Sequence, residues 1–192
     1  MLSPHTQMAN FEKVSYDQFA KDVRTYNQSH IDIEQTSLYE IWENLKPPQR
    51  STSGSAGYDF FMPFDLYMYF PDWAVIPTGY KVRLNQDTFL MLTPRSGLSI
   101  QTGITLLNTV GIIDSDYYGN RGNEGHIMIA LSNSNQAKHK EVEIPQGKAF
   151  AQGIILPYGI ALNDMHTQMV KRTGGFGSTD KEGEPNEQIN KG

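Results

Sequence analysis

Hydrophobic positions recur with two different periods along this chain. Near the start, Tyr16, Phe19, Ala20 and Val23 are three and four residues apart, which puts them on one helical face, and Ser15 stands just before them as a capping residue. The spacing predicts one short helix. Between residues 36 and 45, Leu38, Ile41, Trp42 and Leu45 keep helical spacing, although the shorter stretch 38–42 also suits a strand. Pro47 and Pro48 end either element, because proline lacks the backbone donor and restricts its predecessor.

From residue 51 onward the apolar runs shorten, become rich in β-branched and aromatic residues, and are separated by Gly, Pro and Asn clusters. Strands are expected at 74–77, 80–84, 89–93, 104–107, 126–132, 141–144 and 150–156, with Ile127, Ile129 and Leu131 sharing one face by the two-residue period. Successive strands without helices between them predict an all-β barrel or jelly roll behind a short helical N-terminal extension. The organisation read from this pattern is an extension at 1–46, a β domain at 47–171 and a C-terminal arm at 172–192. Beyond Gly177 the polar composition offers no apolar area to bury, so a mobile tail is expected.

Composition narrows the function classes. With 192 residues and 38% hydrophobic content the chain can build one real core. Its net charge of −5 argues against stable nucleic-acid binding, which needs a dense basic surface, but leaves room for a small anionic ligand held by a few placed cations. There is no cysteine, so disulfides, thiolate catalysis and cysteine-ligated zinc are excluded. No basic leader with an apolar core and no run near 18 apolar residues is found, which leads to the expectation of a cytoplasmic protein without membrane contact.

Five segments combine glycine with charged or hydroxyl residues: Ala56-Gly57-Tyr58-Asp59, Pro94-Arg95-Ser96-Gly97-Leu98, Gly111-Ile112-Ile113-Asp114-Ser115-Asp116-Tyr117, Ala151-Gln152-Gly153, and Arg172-Thr173-Gly174-Gly175-Phe176-Gly177-Ser178-Thr179. Each alone is weak; Pro-Arg-Ser-Gly, for one, also reads as a turn after a strand. In this order they resemble the five motifs of the trimeric dUTPase family, and the similarity runs from about residue 51 to residue 179. The resemblance implies a homotrimer with shared active sites that hydrolyses dUTP to dUMP and pyrophosphate, with Mg²⁺ carried on the substrate phosphates.

It also assigns roles. Asp114 matches the aspartate that orients the attacking water, a task suited to a carboxylate ionised at neutral pH. Asp116, two residues on, is given no catalytic part. Tyr117 matches the tyrosine packed beneath the deoxyribose, where a ring leaves no space for a 2′-hydroxyl. Asn108 and Gly111 fall in the hairpin that reads uracil, and Arg95, Ser96, Gly97 and Gln152 fall in motifs that contact phosphates. Arginine suits that task because its planar fork of donors matches phosphate oxygens. Asp59 matches the essential first-motif aspartate, read as positioning its neighbours. Arg172, Phe176, Gly177, Ser178 and Thr179 match a glycine-rich lid whose phenylalanine stacks on uracil, worth about 1–3 kcal/mol. No His-rich or carboxylate-rich cluster suggests a protein-bound metal.

Two departures from the family pattern stand out: the fifth motif is one residue shorter between arginine and the paired glycines, and residues 120–125 lengthen the turn after the third. The nearest competitor, a dCTP deaminase, needs a proton-transferring glutamate where this chain has Ala130. A regulatory protein partner is the other alternative, with the N-terminal extension and residues 120–125 as its contact surfaces.

Overall fold

The computed structural model describes residues 8–26, 37–134 and 141–164. Strand β1 (Ala9–Lys13) is followed by helices α1 (Tyr16–Tyr26) and α2 (Leu38–Glu43). Next come β2 (Tyr58–Phe61), β3 (Leu66–Tyr69), β4 (Asp72–Pro77), β5 (Tyr80–Leu84) and β6 (Thr88–Pro94). A short helix α3 (Ser96–Thr102) precedes β7 (Thr105–Leu106) and β8 (Gly111–Ile113), and a single 3-10 turn (Ser115–Tyr117) leads on to β9 (Met128–Asn133), β10 (Glu141–Ile144) and β11 (Ala149–Pro157). Pairing is antiparallel throughout: β2-β11-β6-β8 form the largest sheet, β4-β9-β7 a second, and β1-β5 and β3-β10 two ribbons. This is the all-β architecture expected, with helices confined to the N-terminal segment and one connection.

Phe60, Leu66, Ile76, Leu90, Ile129 and Phe150 are fully buried where the sheets face one another. Each such side chain contributes about 1.5–3 kcal/mol by leaving water. Phe19, Ala20 and Val23 of α1 and Leu38 and Ile41 of α2 join the same cluster, so the N-terminal segment closes the core rather than decorating it. Both helices are capped as their sequences direct: Ser15 Oγ accepts from Gln18 N at 3.2 Å and Ser37 Oγ from Glu40 N at 3.3 Å. The stretch left open between helix and strand is helical, because its apolar residues need one face against the barrel.

Polar bonds fasten this segment. Trp42 Nε1 donates to the Val14 carbonyl at 2.9 Å, and Tyr80 donates its hydroxyl to the Leu45 carbonyl at 3.0 Å. Burial pushes the Tyr80 phenol up to about 12, so it remains a neutral donor. Asp22 of α1 lies 2.6 Å from His126 Nδ1, while Gly79 N–H donates to His126 Nε2 at 2.7 Å. The second bond needs an unprotonated Nε2 and therefore places the imidazole proton on Nδ1, facing Asp22.

Several elements differ from expectation. Residues 96–102 form a helix, not a simple turn, because Leu98 finds a buried seat and Gly103, at φ 79°, closes the helix with a left-handed residue. Strands β1, β2, β3 and β8 carry too short an alternation to stand out, and each is held by a partner distant in sequence. The expected strand at 104–107 shrinks to two residues. Among the described residues no helix is long and apolar enough to cross a membrane.

Candidate active site

Three of the five motifs meet at one end of the largest sheet. On β11, Gln152 lies opposite Asp59 of β2 on one side and Thr93 of β6 on the other. Arg95 follows directly, its backbone N–H fixed to the Phe150 carbonyl at 3.0 Å. Arg95 Nη2 stands 3.6 Å from Asp59 Oδ2, and Ser51 Oγ also donates to that oxygen at 3.3 Å. Asp59 is nearly buried whereas Arg95 keeps much of its guanidinium in solvent. A pair with one exposed member adds little stability; its effect is to aim the free donors of Arg95 outward.

Ser96 and Gly97 are exposed beside it, in the first turn of α3. Gly57 is required by closeness: a Cβ there would lie 2.7 Å from Gln152 Oε1, so any larger residue displaces the Gln152 amide. The first-motif glycine and the fourth-motif glutamine are therefore one packing unit. Polar groups with free donor capacity line this end, which suits an anion.

The third motif forms a second cluster. Between β7 and β8 the chain turns through Asn108 and Thr109, the latter at φ 64°, with Val110 N–H bonded to the Asn108 carbonyl at 2.6 Å. Asn108 is exposed, whereas Gly111 is buried against Leu92, whose Cβ lies 3.0 Å from where a side chain would begin. Asp114 is exposed at the end of β8, and the 3-10 turn then sinks Tyr117 to 6% exposure. The backbone beyond Asp114 is therefore coiled and not extended, so strand geometry does not govern where Asp116 points relative to Asp114.

Tyr117 is gripped at both ends. Its hydroxyl donates to the His126 carbonyl at 3.2 Å and accepts from Asn123 Nδ2 at 2.7 Å, while its own carbonyl accepts from Asn120 Nδ2 at 2.8 Å. Sequence reading missed Asn120 and Asn123, because an asparagine in a Gly-rich stretch signals a turn and nothing more. The lengthened turn 120–125 also reaches the N-terminal segment: Glu124 accepts from Ser15 and pairs with Lys81 at 3.0 Å. Burial opposes ionisation of Glu124, but the hydrogen bonds from Ser15 and Lys81 outweigh it and hold the carboxyl below the ordinary range.

The two clusters are apart within one chain. Leu90 pairs with Ile113, so Asp114 lies one step further, opposite Phe89, whereas Arg95 follows the far end of the same strand. Six residues of extended backbone separate the two levels, roughly 20 Å. Arg172, Phe176, Gly177, Ser178 and Thr179 lie outside the described residues. Among the described residues no three His, Cys, Asp or Glu side chains group to hold a metal.

A family model described as dUTPase matches residues 43–180, most of the chain. The chain belongs to the dUTPase family. Among dUTPase relatives, the deoxyuridine 5′-triphosphate nucleotidohydrolase of Lactococcus lactis is 38% identical over 132 residues, covering 69% of this chain and 86% of that one. The crystal structure of the dUTPase from Streptococcus mutans superposes with a TM-score of 0.59 at 28% identity, covering 79% of this chain and 98% of that one. A mutant dUTPase from phage phi11 of S. aureus, described for its coordination of a structural Mg(II) ion, shares the fold at 20% identity, with a TM-score of 0.55 and coverage of 89% and 99%.

Proposed function

We propose that this chain hydrolyses dUTP to dUMP and pyrophosphate at sites assembled between copies of itself in a homotrimer. The observation that carries this reading is the division of the motif residues: Asp59, Arg95 and Gln152 cluster at one end of β6, and Asp114 belongs to the level of the other end. One nucleotide reaches both sets most simply when they come from neighbouring chains. Leu107, Val110 and Ile112 lie exposed within a few residues of one another around the β7–β8 hairpin, and such a grouping of apolar side chains supports a partner chain there.

In the reaction, Asp114 holds a water, takes its proton, and directs the oxygen in line at the α-phosphorus. A new phosphorus–oxygen bond forms, the bond to the bridging oxygen breaks, and pyrophosphate leaves. Arg95, aimed by Asp59, works with Ser96, Gly97 and Gln152 to hold the phosphates and the negative charge that builds on them. Mg²⁺ belongs to the metal–triphosphate substrate and neutralises phosphate oxygens there. The Asn108–Gly111 hairpin binds uracil, Tyr117 excludes the 2′-hydroxyl, and Arg172, Phe176, Gly177, Ser178 and Thr179 close over the bound nucleotide. In this reading residues 1–46, 47–171 and 172–192 act as extension, catalytic β domain and closing arm, and the enzyme serves the cytoplasmic nucleotide pool, removing dUTP before it enters DNA and supplying dUMP for thymidylate.

The test is to offer dUTP, dCTP, dTTP and UTP separately with Mg²⁺ and identify the products. Pyrophosphate from dUTP with little from the others is expected. Ammonia from dCTP would overturn the reading in favour of deamination, which Ala130 on β9 argues against because a methyl group has no ionisable proton to transfer.

A further inference from the structure

We propose that Asn123, in the lengthened turn 120–125, is a positioning residue for the Tyr117 ring and thereby sets how strongly the site rejects ribonucleotides. This rests on the reading of Tyr117 as the wall beneath the sugar. A wall excludes a 2′-hydroxyl only as firmly as it resists being pushed aside. A tyrosine side chain has two soft torsions, so a ring held only at its Cα swings readily about the first. Fixing the phenolic oxygen as well fixes the ring axis and leaves only the flip that maps the ring onto itself.

The structure supplies that second anchor. Asn123 Nδ2 donates to the Tyr117 hydroxyl at 2.7 Å, while the hydroxyl donates to the His126 carbonyl at 3.2 Å. The asparagine is itself held: its Oδ1 accepts from Gly125 N–H at 3.1 Å and from Asn120 Nδ2 at 2.8 Å, and its own N–H donates to Asn120 Oδ1 at 3.1 Å. The turn is braced through Asn120, through Asn123 Oδ1 and through a longer 3.4 Å bond from Asn123 Nδ2 to the His126 carbonyl, while the short bond from Nδ2 goes to the phenol. Behind it, His126 is fully buried and tied to Asp22, and Glu124 is tied to Ser15 and Lys81, so helix α1 backs the clamp.

The experiment compares kcat/KM for dUTP and UTP in wild type, Asn123→Ala, Tyr117→Phe, their double variant and Tyr117→Ala, with equilibrium binding in an Asp114→Asn background for any variant too slow to assay. Asn123→Ala and Tyr117→Phe should each lower the dUTP-over-UTP ratio about tenfold, with the double variant no worse than either single one. Tyr117→Phe keeps the ring and the Oδ1 bonds of the turn but removes both bonds of the hydroxyl, so a wild-type ratio there still overturns the proposal if Asn123→Ala fails to fold. A wild-type ratio in Tyr117→Phe, or in a folded Asn123→Ala with only its melting temperature lowered, overturns the proposal. If Tyr117→Ala also keeps the wild-type ratio, the reading of Tyr117 as the sugar wall falls with it; a relaxed ratio in Tyr117→Ala alone removes only the role of Asn123.

Discussion

Asp114 follows β8 at the start of the 3-10 turn and is exposed, so its carboxylate meets water. Replacing it by asparagine keeps volume and hydrogen bonding but removes the proton acceptor. Asp114→Asn should therefore melt within a few degrees of wild type while turnover falls by at least about a thousandfold; steady-state kinetics beside a thermal scan checks both. Arg95 behaves differently, since its direction depends on Asp59. Asp59→Asn removes the charge that aims the guanidinium, so KM for dUTP should rise, about tenfold, more than kcat falls. At this scale the sequence was informative where a motif fixes residue type and order, as with Asp114, Arg95 and Gln152. It was silent on Asn123, whose partner Tyr117 is chosen by how the inserted turn folds back.

At the scale of elements, the turn 120–125 and helix α1 behave as one unit. Gly125, at φ 83°, has space for no side chain: a Cβ would sit 2.6 Å from the Tyr117 carbonyl oxygen. Gly125→Ala should cost about 2 kcal/mol or more, read as a lowered midpoint in urea with an unchanged slope. Glu124 gives the same joint a pH dependence. Its carboxyl is held below its ordinary value of 4.5, so its contribution to stability is fully present above that pH and is lost as pH falls through the lowered folded value. Glu124→Gln should melt a few degrees below wild type at pH 7, and the gap should close as pH falls below 4.5 and through the lowered folded value.

Helix α1 was legible because three- and four-residue spacing and a capping serine are local signals, whereas the 38–42 stretch suited a helix or a strand equally and is settled as α2 only by the core its apolar residues join. Strand β1 was not, since Ala9–Lys13 becomes a strand only by pairing with β5 some seventy residues away. Helix α3 was hidden for a related reason: Ser96 and Gly97 suggest a turn, and the buried seat of Leu98 that favours the helix is a tertiary feature.

The whole molecule is a β core closed by its own N-terminal segment, with its motif residues divided between two ends of one sheet. The two-residue period and the turn chemistry made the all-β fold readable from the chain. The division was not, because Arg95 and Asp114 are only nineteen residues apart in sequence and the antiparallel path through β6 and β8 is what parts them. The proposed site, joined across chains, would let both serve one nucleotide, and it makes a specific demand of mixed assemblies. Arg95→Ala and Asp114→Asn chains, each inactive alone, should regain activity when unfolded together and refolded, on the order of a quarter of the wild-type level for random mixing into trimers. Recovery to that level is what the account predicts; a mixture as inactive as either variant alone would contradict it.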